Sequence, residues 1–196
     1  NIWRSMDAGV SWTLNAHWYG GGGAPYVHAD IHTLQYHDAN TIYAGCDGGF
    51  FRTTDNGSSW TDLSSGLQIA QMYRLGCSAS NPNLVIQGWQ DNGTNGWNAG
   101  TWKRILGADG MECFIDWSNE NTMYAELYFG DFNKSTDGGI SWTNITSGIT
   151  ESGAWITPWC QDPQTAQTLY SGFRNVWKST NMGAGWTKIS SISFNL

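Results

Sequence analysis

Three residues of metal-binding types alternate along one short segment, at His28, Asp30 and His32. Alternate residues of a β-strand point to the same face, so on a strand these three side chains would lie together. Two strand residues advance about 6.6 Å, which separates the two histidine α-carbons by about 13 Å, too far for one ion unless the chain bends. The segment therefore predicts either a metal site on a bent chain or a hydrogen-bonded polar lining of a channel.

Aromatic side chains offer a second kind of chemistry, because a flat ring stacks on a sugar with little side-chain entropy to lose. Trp18 and Tyr19 begin a glycine-rich segment, and Trp89 stands two residues before Asp91. We predict that these four residues bind a ligand, either a glycan or a protein. Local packing at the mouth of a channel is the alternative for the rings.

The elements that must position these residues are marked by an eight-residue motif that occurs four times. Each copy has Ser or Thr first, Asp or Asn third, Gly fifth and Trp last. Hydroxyl and carboxylate groups bond to backbone N–H groups just ahead of them, and glycine supplies a positive φ, so the motif predicts a turn that the tryptophan covers. The copies span 5–12, 53–60, 135–142 and 179–186, with the third position at Asp7, Asp55, Asp137 and Asn181.

The motif recurs with a period typical of repeat architectures. If Trp102 closes a degenerate fifth copy at 95–102, successive closing tryptophans lie 40 to 48 residues apart. Short apolar runs flank each copy, and a further strand is predicted before each unit, at 32–36, 72–76, 112–116 and 154–158. Four-stranded antiparallel units at this period are the blades of a β-propeller, so we predict an all-β partial propeller with almost no helix.

The repeat also predicts how the chain divides. Residues 1–27 should hold the C-terminal half of a preceding blade and a linker, because the chain opens inside a third strand. The predicted blades are 28–66, 67–107 with the degenerate motif, 108–150 and 151–196, the last including the start of another strand at 192–196. We expect the remainder of a larger propeller chain as a partner.

Composition excludes several classes of function. Charged residues make up 13% of the chain, against about 25% in an ordinary soluble domain. The net charge of −7 without a cluster of Lys or Arg argues against nucleic acid, and the absence of an 18-residue apolar run argues against membrane insertion. We expect no cofactor and an extracellular or cell-surface location. The four cysteines read either as small buried residues or as disulfide partners.

The repeated motif resembles the Asp-box, or bacterial neuraminidase repeat (BNR), and the resemblance covers nearly all 196 residues. Propellers of this type include sialidases, xyloglucan-cleaving glycoside hydrolases, the luminal domain of sortilin receptors, a photosystem II assembly factor, and large secreted bacterial proteins of unknown activity. The chain is most similar to the last group, whose members carry segments like those at 28–32, 47–49 and 90–94. In this family the boxes lie at the blade periphery, away from active sites.

The resemblance implies two functions. The first is a non-catalytic secreted or cell-surface module that binds glycan or protein. The second is a glycoside hydrolase of the xyloglucan-cleaving type, in which Asp47 and Asp91 match catalytic aspartates; its carboxyl groups would lie about 5 to 5.5 Å apart for retention or about 6.5 to 9.5 Å apart for inversion. A sialidase would need three arginines to converge, and the candidates are Arg74, Arg104 and Arg174.

Overall fold

The computed structural model describes residues 1–67, 69–98 and 100–191, and the regular structure in those ranges is entirely β. The chain forms two compact units, Asn1–Ile69 and Ala70–Leu196. In the described ranges we find no helix with the length and apolar character needed to cross a membrane. The strand start predicted at 192–196 lies outside the described residues.

The first unit contains a two-stranded and a four-stranded antiparallel sheet. The smaller sheet pairs β1 (Ile2–Arg4) with β2 (Thr13–Ala16). The larger sheet contains, in spatial order, β3 (Ile31–Tyr36), β4 (Ile42–Cys46), β5 (Gly49–Thr53) and β6 (Thr61–Asp62). The core of this unit is a cluster of aliphatic and aromatic side chains from both sheets and the segment between them: Ile2, Ala16, Val27, Ala44 and Phe51.

The second unit contains three four-stranded antiparallel sheets, each with its strands in chain order. The first is β7 (Met72–Cys77), β8 (Leu84–Trp89), β9 (Gly93–Asn98) and β10 (Thr101–Leu106). The second is β11 (Cys113–Ile115), β12 (Met123–Glu126), β13 (Phe132–Ser135) and β14 (Thr143–Asn144). The third is β15 (Trp159–Gln161), β16 (Leu169–Gly172), β17 (Val176–Ser179) and β18 (Thr187–Lys188). These sheets agree with the predicted all-β fold of four-stranded units.

The core of the second unit lies between the faces of successive sheets. Strand β11 lies against β7 and β8, and Ile86 packs with Cys113 in one apolar cluster. In the next cluster Phe132 stacks on Trp159 with ring centroids 4.1 Å apart and an interplanar angle of 10°. Burying one such ring stabilises the fold by about 1.5–3 kcal/mol, so the apolar alternation of the central strands holds the sheets together.

All four copies of the motif form the same turn. The hydroxyl at the first position accepts the N–H of the fifth-position glycine at 2.7–2.9 Å and donates to the third-position side chain at 2.7–2.8 Å. The third-position oxygen in turn accepts the N–H of the seventh residue at 2.8–2.9 Å. The fifth-position glycines have φ of 84 to 92°, a region that L side chains avoid, which explains the glycine in every copy.

Hydrogen bonds shift the pKa of the motif aspartates. The Ser11 hydroxyl and backbone hold the pKa of Asp7 at about 2, and Ser59 and Ser141 do the same for Asp55 and Asp137. These carboxylates are therefore charged at neutral pH and act as acceptors in their turns.

The motif turns also join neighbouring sheets. In the second unit the Trp186 indole N–H donates to the Ile145 carbonyl at 2.6 Å, and Lys134 Nζ donates to the Met182 carbonyl at 3.1 Å. In the first unit Arg4 donates to the Asn56 carbonyl at 2.9 Å. The turns at 53–60 and 179–186 are thus each bound by a basic side chain from the sheet that precedes them.

Two predicted elements differ from the structure. The predicted degenerate turn at 95–102 is a hairpin, in which Trp102 pairs with Trp97 across β9 and β10. The strand predicted at 154–158 instead begins at Trp159, because the Thr157 N–H donates to the Glu126 carboxylate and Pro158 has no N–H to give to a ladder.

The four cysteines are free thiols. Only Cys113 is buried, and burial raises the pKa of its thiol to about 12. The expectation of small buried side chains therefore applies to that residue and not to Cys77 or Cys160, which are exposed.

Candidate functional site

Each four-stranded sheet has two different ends. We call the end where the third strand passes through the motif turn into the fourth the motif end. The open end is the opposite one, where the second strand turns into the third and where the chain enters the first strand. Because neighbouring strands are antiparallel, these two sets of connections lie at opposite ends of the sheet.

At the open end of the first unit, residues 17–30 connect β2 to β3 as a closed loop. The His17 N–H donates to the Pro25 carbonyl at 2.9 Å, and the Val27 N–H donates to the His17 carbonyl at 3.3 Å. Gly20, Gly22 and Gly23 have φ of 68 to 76°, which allows the tight path between those bonds. The loop therefore has a defined backbone although it lies at the surface.

The loop exposes aromatic rings that are already packed on each other. Trp18 and Tyr19 are 51% and 64% exposed, and their rings meet edge to face at 4.6 Å. The imidazole of His17 lies 4.0 Å from the Tyr19 ring. Tyr26, at the other end of the loop, packs edge to face on the buried Phe51 at 5.8 Å. These contacts reduce the rotamer freedom that the rings would lose on binding a ligand.

The three residues predicted as metal ligands do not form one row along a strand, although carboxylate oxygens of Asp30 and Asp47 lie within 4.8 Å of each other. Asp30 has φ of 54° and precedes β3, so His28 and Asp30 do not alternate with His32 on one strand. His32 Nε2 contacts Asp47 Oδ1, in the turn between β4 and β5. The His28 ring lies over Gly48, where an added Cβ would come within 2.0 Å of it. Among the described residues, the ligand atoms of His28, Asp30 and His32 do not gather within 4.8 Å of one another.

Trp89 and Asp91 lie at the open end of the second unit. Asp91 has φ of 59° in the turn between β8 and β9, and its N–H donates to Asp109 Oδ1 at 2.7 Å. The Trp89 indole donates to Gln87 at 2.9 Å, and its ring is 5.5 Å from that of Trp102. Trp89 therefore packs along its own sheet, unlike Trp18, which lies in a loop.

An aromatic cluster in the second unit was missed by the sequence prediction. Tyr128 and Trp155 are parallel, with centroids 5.6 Å apart, and Phe129 stands at 73° to both. All three rings are exposed, by 40%, 42% and 49% for Tyr128, Trp155 and Phe129. The aromatic pair before Gly130 is a visible signal, but the strand predicted at 154–158 includes Trp155.

Glu126 lies beneath this cluster and is completely buried. Its Oε1 accepts the N–H of Gly130 at 3.0 Å and the N–H of Thr157 at 2.8 Å. Its Oε2 is also buried and has no hydrogen-bond partner among the described residues. Burial is the main cause that raises the pKa of Glu126 to about 7.

Arg74, one of the three arginines that a sialidase would need, already has an ion partner. Arg74 Nε forms an ion pair with Glu112 at 2.7 Å, so its charge is already partnered inside the second unit. A carboxylate clamp would need that guanidinium to face a ligand.

No protein-family model and no curated protein matches this chain. Solved structures do match. An ancestral GH74 enzyme is 21% identical with a TM-score of 0.52, over 83% of this chain and 24% of its own. The GH74 enzyme of Niastella koreensis is 19% identical with a TM-score of 0.50, over 94% of this chain and 34% of its own. The GH74 xyloglucanase of Xanthomonas campestris is 14% identical with a TM-score of 0.51, over 94% of this chain and 35% of its own.

The fold is that of a β-propeller. The four-stranded sheets are its blades, which confirms the fold class predicted from the repeat. The chain spans between about a quarter and about a third of the length of these solved chains. At such low identity the likeness concerns the fold alone, and function must be argued from the sites.

Proposed function

We propose that this chain is a non-catalytic β-propeller module of the Asp-box type that binds a glycan, outside the cell or at its surface. The observation that carries the proposal is the pair Trp18 and Tyr19, which stay exposed while their loop is closed by backbone hydrogen bonds. Flat rings that are held in place bury apolar area against a sugar at a small entropy cost.

Polar groups at the open end of the first unit support this proposal. His17, His32 and Asp47 provide hydrogen-bond donors and acceptors at the same end of the first unit. A ligand pocket typically combines apolar surface with a few such groups, which fix the orientation of hydroxyl groups. The low content of charged residues, 13%, fits a surface that recognises an uncharged polymer.

Isothermal titration with a panel of soluble polysaccharides tests the proposal. Wild-type protein is expected to bind at least one neutral glycan, and Trp18→Ala and Tyr19→Ala are expected to weaken that binding at least tenfold. The melting temperature of each variant serves as the control for folding. Unchanged binding in both variants, or no binding by the wild type to any glycan, would contradict the proposal.

A glycoside hydrolase is the second candidate, because three of the solved structures similar to this chain are GH74 enzymes and one of these three is a xyloglucanase. In this case Asp47 and Asp91 would be the catalytic carboxyl groups. The contact between His32 Nε2 and Asp47 Oδ1 holds that carboxyl group in place, as a catalytic group requires.

Release of reducing ends from xyloglucan distinguishes the two candidates. The hydrolase predicts release by the wild type and its loss in Asp47→Asn and Asp91→Asn, with glycan binding retained. The binding module predicts no release above that of a heat-inactivated sample.

A further inference from the structure

We propose a second binding site, for an uncharged oligosaccharide, on the cluster of Tyr128, Phe129 and Trp155 at the open end of the second unit. It shares its ligand class with the proposed function but uses none of the residues of the first unit. Its evidence is the geometry of the rings, the way their backbone is held and the charge around them.

The three rings come from two separate chain segments that meet at the surface. Tyr128 and Phe129 lie in the turn between β12 and β13, and Trp155 lies in the loop that leads to β15. The Tyr128 and Trp155 rings are parallel, and each cluster member keeps at least 40% of its surface exposed. Single exposed rings are common on proteins, but three in mutual contact form a continuous apolar patch.

Both segments are tied to the same buried carboxylate. Glu126 accepts one N–H from the turn, at Gly130, and one from the loop, at Thr157. A further bond joins the segments directly, from the Gly153 N–H to the Phe129 carbonyl at 3.0 Å. Glu126 is therefore a positioning residue that fixes the patch without touching a ligand, and the rings lose little freedom on binding.

The buried face of the turn has no room to shift. A Cβ added at Gly130 would come within 2.4 Å of the Phe173 ring, which is itself buried. Gly130 also has φ of 82°, which an L side chain resists. The turn thus packs closely against Phe173 of the next blade.

Two hydrogen-bonding groups beside Trp155 are uncharged. The Trp155 indole donates to the Tyr73 hydroxyl at 3.2 Å, and that hydroxyl bonds to the Gln90 side chain. Neutral hydroxyl and amide groups beside flat rings match the mixed apolar and polar faces of a sugar.

Charge decides between a neutral and an acidic sugar. Arg74, which follows Tyr73 in the chain, is paired with Glu112 at 2.7 Å. The whole chain has a net charge of −7, which repels an anionic polymer. The patch therefore fits an uncharged oligosaccharide.

The test follows the indole N–H signals of Trp18 and Trp155 by heteronuclear NMR, assigned with Trp18→Phe and Trp155→Phe. The full chain is titrated with cellohexaose, mannohexaose and a xyloglucan oligosaccharide, and with hexagalacturonate as the anionic control. We expect at least one neutral sugar to shift the Trp155 signal in a saturable manner, and to do so equally in Trp18→Ala. Tyr128→Ala should weaken that response at least fivefold.

The outcomes separate this site from the first. A shift of Trp155 alone supports the second site and contradicts the proposed function of the first unit. A shift of Trp18 alone overturns the second site and leaves the proposed function standing. Response of Trp155 only to hexagalacturonate, to none of the sugars, or only to an added protein overturns the inference.

Glu126 variants test the positioning role. Glu126→Ala removes the shared acceptor and should weaken the Trp155 response at least fivefold while the Trp18 response is retained. Glu126→Gln keeps one acceptor oxygen and should restore most of the lost affinity. Equal responses in Glu126→Ala and wild type would show that Glu126 does not position the rings.

Discussion

The motif end and the open end of the blades differ in how strictly they repeat. At the motif end, four turns form the same hydrogen bonds with lengths that agree within 0.2 Å. At the open end, the loop at 17–30 and the aromatic cluster around Trp155 have no counterparts of the same sequence. The repeated end therefore stabilises the fold, while the irregular end is available for a ligand.

The largest effect that tests this comparison is expected for Trp186→Ala. Trp186 is 8% exposed and donates to the preceding blade, so its loss should lower the free energy of unfolding by about 3–5 kcal/mol, measured by urea denaturation. Trp12→Ala is the matched control, since Trp12 closes the same motif but is 59% exposed, and it should cost about 1 kcal/mol or less. Equal losses would show that burial at the motif end is not what stabilises the blade.

The buried carboxyl group at the open end predicts a pH dependence. Burial raises the pKa of Glu126 to about 7 from 4.5, so the folded state keeps a proton that the unfolded state releases between those pH values. This contribution to stability is therefore complete below pH 4.5 and declines as the pH rises through 7. Urea denaturation at pH 5 and pH 8 should show a decline in wild type that is smaller in Glu126→Gln, and parallel declines in the two proteins would refute the assignment.

The motif aspartates predict a smaller effect of opposite sign. Hydrogen bonds hold the pKa of Asp137 at about 2 against an ordinary 3.8, so its contribution is present above pH 3.8 and is lost as the pH falls toward 2. Asp137→Asn should reduce the fall in melting temperature between pH 5 and pH 2.5. The natural Asn181 of the fourth copy accepts the corresponding bonds from Ser179 and Gly185 without titrating, so the substitution should fold normally. An identical fall in both proteins would contradict the role of this carboxylate.

The motif end could be predicted from the sequence because its interactions are local. The bonds from Ser135 and Asp137 reach residues at most four positions ahead, so residue types and spacing were sufficient. The degenerate copy at 95–102 does not form the predicted turn, because it lacks residues that make these local bonds. Without the third-position acid and the central glycine, the pairing of Trp97 with Trp102 continues the ladder as a hairpin.

The open end could be predicted only in part, because its contacts join residues that are distant in the chain. The loop with Trp18 and Tyr19 was visible from its glycines and rings. The later start of β15, the first strand of the last sheet, was not visible. It depends on the bond between Thr157 and Glu126, which are 31 positions apart. The position of the Trp89 ring likewise depends on its contact with the Trp102 ring, which comes from another strand of the sheet.

The difference between the two ends is measured by the affinity for a neutral glycan of two variants of the first unit, Trp18→Ala at the open end and Trp12→Ala at the motif end. Both side chains are more than half exposed, so neither substitution removes a buried ring. We predict that Trp18→Ala weakens binding at least tenfold and that Trp12→Ala leaves it within about twofold. An equal loss in the two variants, or a loss confined to Trp12→Ala, would contradict the division of the blades into a stabilising end and a binding end.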